Sequence, residues 1–206
     1  MIGCVVGRRI CRDIDNEMQK EQHMSQSGKP FVTDVKELRR RARQHIKEGA
    51  VTAGYEGDTA AACRVLNDAL ATELVCVLRY KRHFFMAQGI HSGPVKAEFQ
   101  EHAAEEQAHA DRIAERIVQL GGEPNFSPDG LLSRSHSEYV EGQSLVDMIS
   151  EDLVAERIAI DSYREMAAYF APFDTTTRRM LEDIQAVEEE HADDLAELLQ
   201  HFSPAE

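Results

Sequence analysis

Apolar residues in this chain recur every three or four positions and almost never alternate, a period that predicts helices throughout. Residues 1–32 are polar and lack a sustained period, which predicts a mobile arm. From Thr33, an N-cap, Val35, Leu38, Ala42 and Ile46 mark a short amphipathic helix over 34–48 with a basic outer face, stopped at Gly49. Gly54 to Asp58 reads as a linker, and Asp58 or Thr59 caps a first long helix that runs to about Gly89 through Leu66, Leu70, Leu74, Val77 and Phe84. A turn at 89–94 leads into a second long helix from Ser92 and Pro94 to Leu120, stopped by Gly121-Gly122. Turn formers from Glu123 to Gly130 follow, with weak periodicity to Gln143. Gln143-Ser144 opens a third long helix that ends before Pro172, and Asp174-Thr175 caps a fourth that runs to about Phe202.

Two tight turns and one long connection have a geometric meaning. The first and second long helices form an antiparallel hairpin, as do the third and fourth. A helix of about 27 residues is about 40 Å long, and the segment between the second and third is long enough to travel back along it. The expected fold is all-α: an up-down-down-up four-helix bundle with one long crossover between its second and third helices. The expected division is an N-terminal arm with a short basic helix over 1–58 and the bundle over 59–206.

The chemistry lies in a repeat. Glu106-Gln-Ala-His109 is answered by Glu188-Glu-Glu-His191, and His109-Ala-Asp-Arg-Ile-Ala-Glu115 by His191-Ala-Asp-Asp-Leu-Ala-Glu197. Leu70-Ala-Thr-Glu73 likewise matches Leu153-Val-Ala-Glu156, with Tyr80 and Tyr163 each seven residues past the glutamate. In Glu-x-x-His the two side chains lie one turn apart on one face. Measured from the nearer turn, Glu73, Glu106, His109, Glu156, Glu188 and His191 all fall at mid-bundle depth. Ionised glutamates in a bundle interior need a partner, and four carboxylates with two imidazoles suit a pair of metals, iron or manganese. Glu73 and Glu156 are expected to bridge, with each Glu-x-x-His capping one metal. Tyr80 and Tyr163 read either as core tyrosines or as redox-active or hydrogen-bonding groups beside the donors, with Tyr80 the candidate catalytic residue. His83, His91, His102, His136 and His201 lack partners at ligand spacing and read as non-ligands.

Composition narrows the setting. The net charge of −14 is uneven: residues 1–50 hold 11 Lys/Arg against 7 Asp/Glu, and the rest 12 against 30. An acidic body attracts cations and disfavours nucleic acid, while Arg39-Arg-Arg-Ala-Arg43 leaves DNA as a partner of the arm. Cys4, Cys11, Cys63 and Cys76 include no Cys-x-x-Cys pair, which disfavours zinc ribbons, rubredoxin-type sites and redox dithiols. No apolar run is long enough for a transmembrane helix; the expected location is cytoplasmic.

From about Leu66 to Leu199 the chain resembles the ferritin-like superfamily, with its nearest likeness to bacterioferritin. The likeness is carried by Glu73-Leu74 with Tyr80, by Glu106 to Arg112 with Leu120 to Asn125, by Asp152 to Glu156, and by Glu188 to His191. It implies a ferroxidase that oxidises Fe(II) with O2 or peroxide at a di-iron centre of Glu73, Glu106, His109, Glu156, Glu188 and His191, for iron storage or detoxification. Alternatives within the resemblance are a rubrerythrin-like peroxidase, a di-manganese catalase and a Dps-like DNA-binding protective shell. Gln107 stands where bacterioferritin has its haem-ligating methionine, so haem is not expected. The extension before residue 59 and the short segment after His191 are similar to the starvation-protection (Dps) cages. They imply a homo-oligomeric cage smaller than 24 subunits, a dodecamer; Phe84, Phe85 and Ile90, apolar beyond what one bundle covers, are expected among its contacts.

Overall fold

The computed structural model describes residues 34–44, 46, 47 and 49–202; the arm expected over 1–32 and the Thr33 cap lie outside them. The chain divides into two compact units at Arg40. In the first, the Asp34 carboxylate accepts the backbone N–H groups of Lys36 and Glu37 and caps α1 (Val35–Arg41). This helix stops well short of residue 48. It buries none of its residues, and Val35, Leu38 and the more distant Ile46 are exposed, so no packed face sustains a longer helix.

The second unit contains α2 (Thr59–Met86), α3 (Ser92–Gln119), a single turn α4 (Leu131–Arg134), α5 (Leu145–Phe170) and α6 (Thr175–Phe202). Capping residues set the boundaries. Asp58 accepts from the backbone of Ala60 and Ala61, Ser144 from Asp147, and Asp174 from Thr177. Gly89, at φ 104°, takes the positive dihedral that the α2–α3 turn needs. Helix α2 packs on α3 and α5 on α6, while α2 also meets α5 and α3 meets α6. Cross-pairs fix the directions. Arg112 reaches Asp183 and Arg116 reaches Thr177, so α3 and α6 are antiparallel. Arg79 reaches Asp152 and Tyr163 reaches Glu73, so α2 and α5 are antiparallel too. This is the up-down-down-up bundle, all-helical among the described residues.

Two apolar clusters fill opposite ends of the bundle. One gathers Leu66, Leu70, Ile113, Ile117, Phe170, Leu181 and Ile184; the other gathers Val95, Phe99, Met148, Ile149 and Leu195. Each such side chain contributes about 1.5–3 kcal/mol by leaving water, so the ends stabilise a polar layer that the middle alone could not. Val51 and Tyr55 pack on the first cluster, and a Cβ at Gly57 would stand 2.3 Å from the Phe173 ring. Phe84 packs against the second cluster, whereas Phe85 is 74% and Ile90 94% exposed. Of the three expected cage contacts, Phe84 is partly buried and these last two are the exposed ones.

The crossover is fastened along α2. Asn67 bonds the backbone of Glu123 and Asn125, Thr72 that of His136, Arg79 that of Glu138, and His83 that of Val140. Arg79 and His83 also share the two oxygens of Asp152, both at 2.7 Å, wholly buried. This cluster ties α2, α5 and the crossover together beside the polar layer. No helix among the described residues is long and apolar enough to cross a membrane.

Candidate metal centre

Glu73 on α2, Glu106 and His109 on α3, Glu156 on α5, and Glu188 and His191 on α6 are all buried and converge in the polar layer. They form two overlapping sets: Glu73, Glu106, His109 and Glu188, and then Glu106, Glu156, Glu188 and His191. Within each set the ligand atoms lie within 4.8 Å of one another. His109 Nδ1 lies 3.0 Å from Glu188, 3.2 Å from Glu106 and 3.5 Å from Glu73. His191 Nδ1 lies 3.5 Å from Glu188, 3.6 Å from Glu106 and 3.9 Å from Glu156.

The residues common to both sets are Glu106 and Glu188, whereas the sequence expectation gave the bridging positions to Glu73 and Glu156. The cause is the register of α3 against α6. Glu105 pairs with His191 and Arg112 with Asp183, so the two Glu-x-x-His turns face each other head to tail. Their glutamates then occupy the inner levels and their histidines the outer ones. Glu73 comes level with His109, and Glu156 with His191.

Among the described residues, most of the buried side-chain oxygen and nitrogen atoms without a hydrogen-bond partner lie here. They include one oxygen each of Glu73, Glu106 and Glu156, both of Glu188, and Nδ1 of His191. Buried polar groups left unpaired cost stability, and these share one focus. Burial, then the facing Glu106, pushes the Glu73 carboxyl well above the usual range, and burial with Glu73 and Glu156 raises that of Glu188. Against burial, contacts with His191 and Glu188 hold Glu156 low. Against burial, Glu106, Glu188 and Glu73 raise the His109 imidazole to about 12; Glu106, Glu156 and Glu188 raise His191 likewise. The focus therefore demands positive charge. Divalent cations would supply it, and the donor set of carboxylate oxygens and imidazole nitrogens fits iron or manganese.

The surrounding groups orient these donors. Tyr80 donates its hydroxyl proton to Glu156 and Tyr163 donates to Glu73, each crossing between α2 and α5. Tyr163 is thus more than a core tyrosine. Glu105 accepts from His191 Nε2 at 2.7 Å, which directs Nδ1 inward. Glu105 was missed in the sequence, where its only signal is its place next to Glu106. His102 was set aside as a non-ligand; its ring stacks on His191 at 3.9 Å, and its Nδ1 lies 3.2 Å from the Tyr80 hydroxyl. Burial, then His191, lowers its imidazole to about 4. Gln107, at the position of the expected haem ligand, bonds Asp111 on its own helix.

Comparison with known proteins finds ferritin-like relatives. A ferritin-like domain model matches residues 63–204. Bacterioferritin of Desulfovibrio desulfuricans is 31% identical over 129 residues, 62% of this chain and 67% of its own length. A nutrient stress-induced DNA-binding protein of Nostoc sp. is 33% identical over 144 residues, 68% of this chain and 78% of its own. A solved dodecameric thioferritin, the bacterioferritin-related protein of Bacteroides fragilis, has a TM-score of 0.68 at 32% identity, over 70% of this chain and 88% of that one. The solved D. desulfuricans bacterioferritin, described with its diiron site in different catalytic states, has a TM-score of 0.62 at 27% identity, over 69% of this chain and 80% of that one. With the domain match spanning all four long helices and the bundle sharing their fold, the chain belongs to the ferritin-like family.

Proposed function

We propose that this protein is a ferroxidase that takes up Fe(II) and oxidises it to Fe(III) at the buried carboxylate–imidazole focus, for iron storage or detoxification. The observation that carries the reading is the convergence of unpartnered donor atoms in two sets that share Glu106 and Glu188. Glu73 and His109 would hold one metal, Glu156 and His191 the other, and Glu106 and Glu188 both. Two Fe(II) supply two electrons, one each, to a two-electron acceptor, peroxide being reduced to water or O2 to peroxide. The protein's part is electrostatic. Four carboxylates lower the cost of raising the charge on two cations in a buried layer. Tyr80 and Tyr163 hold Glu156 and Glu73 by one oxygen each and leave the other free to face a metal. Glu105 holds the His191 tautomer.

The acidic body steers cations inward, an effect that weakens with salt. The exposed Phe85 and Ile90, with relatives that include a dodecamer, support a homo-oligomeric cage of twelve subunits. Residues 1–58 would serve as its arm. Manganese suits the same donors, and a di-manganese catalase is the alternative reading. The test is Fe(III) formation after O2 or peroxide is added to Fe(II)-loaded protein. His109→Ala with His191→Ala is expected to abolish it at the centre; an unchanged rate refutes the proposal. Manganese in the purified protein, with oxygen evolved from peroxide, would replace it by the catalase reading.

A further inference from the structure

The six donors repeat between the two halves of the bundle, but His102 does not. The residue 82 positions on is Ile184, which packs beside Tyr163 in an apolar cluster. At the other end Tyr80 meets an imidazole instead, and two carboxylates stand behind it. His102 is 1% exposed; its ring stacks on His191 and stands edge-on to Tyr80. Tyr80 has one hydroxyl proton and donates it to Glu156. Its oxygen therefore accepts from His102, at 3.2 Å, and Nδ1 carries the imidazole proton.

That assignment leaves the Nε2 lone pair pointing the other way, at Glu98 Oε2 (3.6 Å) and Asp194 Oδ2 (3.8 Å). Neither distance is a hydrogen bond, and a lone pair facing two anionic oxygens is repulsive unless a cation lies between them. The three donor atoms lie within 4.8 Å of one another, and the Glu98 and Asp194 side chains are 35% and 52% exposed. The cluster therefore opens to solvent on one side and ends in the imidazole of the buried His102 on the other.

We infer that Glu98, His102 and Asp194 form a third divalent-cation site, one nitrogen and two carboxylate oxygens completed by water, at the threshold of the buried centre. Its donor set takes Fe(II), Mn(II), Co(II) or Zn(II). A cation on Nε2 polarises the imidazole, strengthens the bond from Nδ1 to Tyr80, and so bears on Glu156. A role in loading Fe(II) rests on the ferroxidase reading; cation binding does not.

Anaerobic Co(II) titration followed by visible absorption, with bound metal counted after gel filtration, tests it. The parent is expected to bind three Co(II) per chain. Glu98→Gln with Asp194→Asn, both on half-exposed side chains, should bind two, with the spectrum of the buried pair retained. Glu106→Gln with Glu188→Gln should bind one, lost when the first two changes are added. One ion in the parent, removed by the Glu98/Asp194 changes alone, would keep this site and refute the buried pair. Two ions in the parent and two in the Glu98/Asp194 variant would overturn the third site.

Discussion

Replacing Glu188 by glutamine should have opposite effects on stability with and without metal. Both oxygens of Glu188 are buried without a hydrogen-bond partner, and the side chain faces Glu73 and Glu156. Burial and these neighbours raise its carboxyl. Folding thus works against the charged form, a destabilisation fully present above the folded pKa and absent below the unfolded one, near 4.3. The imidazoles of His109 and His191 offset this only in part, and neutralising the carboxylate returns about 2–4 kcal/mol. Metal-free Glu188→Gln should therefore be more stable than the parent by that amount at pH 8, and the gap should close as pH falls towards about 4. With Fe(II), Mn(II) or Co(II) in excess the order should reverse, because the variant loses a donor common to both sets. Urea unfolding followed by circular dichroism, at one protomer concentration with and without a chelator, reads both halves. A metal-free variant less stable than its parent at pH 8 would refute the electrostatic reasoning.

Further outcomes follow from the same contacts. Asp174 accepts two bonds from Arg116 at 2.9 Å, caps α6 and takes the Tyr55 hydroxyl, so Asp174→Ala should cost about 3–5 kcal/mol in unfolding experiments. Against burial, its bonds to Thr177 and Arg116 hold its carboxyl below the usual range; its contribution is present at neutral pH and disappears only in acid, as pH falls through that lowered value. Tyr80→Phe frees one oxygen of Glu156 and removes the acceptor of His102, whereas Tyr163→Phe affects only Glu73 among these donors. Fe(II) oxidation should therefore slow more in Tyr80→Phe, and equal rates would argue against a special role for that end. Glu105→Gln should weaken metal binding about 10- to 100-fold by loosening His191, measurable by competition with a chromophoric chelator.

Helix count, hairpins and crossover were legible in the sequence because caps and glycines punctuate a clean period: Asp58, Ser144 and Asp174 each bond the first turn they precede. Equal depth from the two turns likewise brought the six candidate donors together, since depth is set within each hairpin. Which donors are shared was not legible, because it depends on how α3 slides against α6. That register is fixed by pairs such as Arg112 with Asp183, which no periodicity announces. The same holds for Glu105 and for the buried Arg79, His83 and Asp152, whose partners lie on other helices. Along α3, Glu98, His102, Glu105 and His109 form one stripe at spacings of four, three and four. Read as a stripe rather than as isolated residues, it would have brought His102 into view. Helix α1 was drawn too long because apolar spacing alone cannot show whether a face is covered.

The central claim is that two metals sit between Glu73, Glu106, His109, Glu156, Glu188 and His191, with Glu106 and Glu188 held in common. Diffraction from crystals soaked anaerobically in Fe(II), recorded on both sides of the iron absorption edge, measures this directly. Two anomalous peaks are expected inside each bundle, one beside His109 and Glu73, the other beside His191 and Glu156, with Glu106 and Glu188 reaching both. A bundle interior without iron, or a single peak there that Glu106 and Glu188 do not touch, would contradict it.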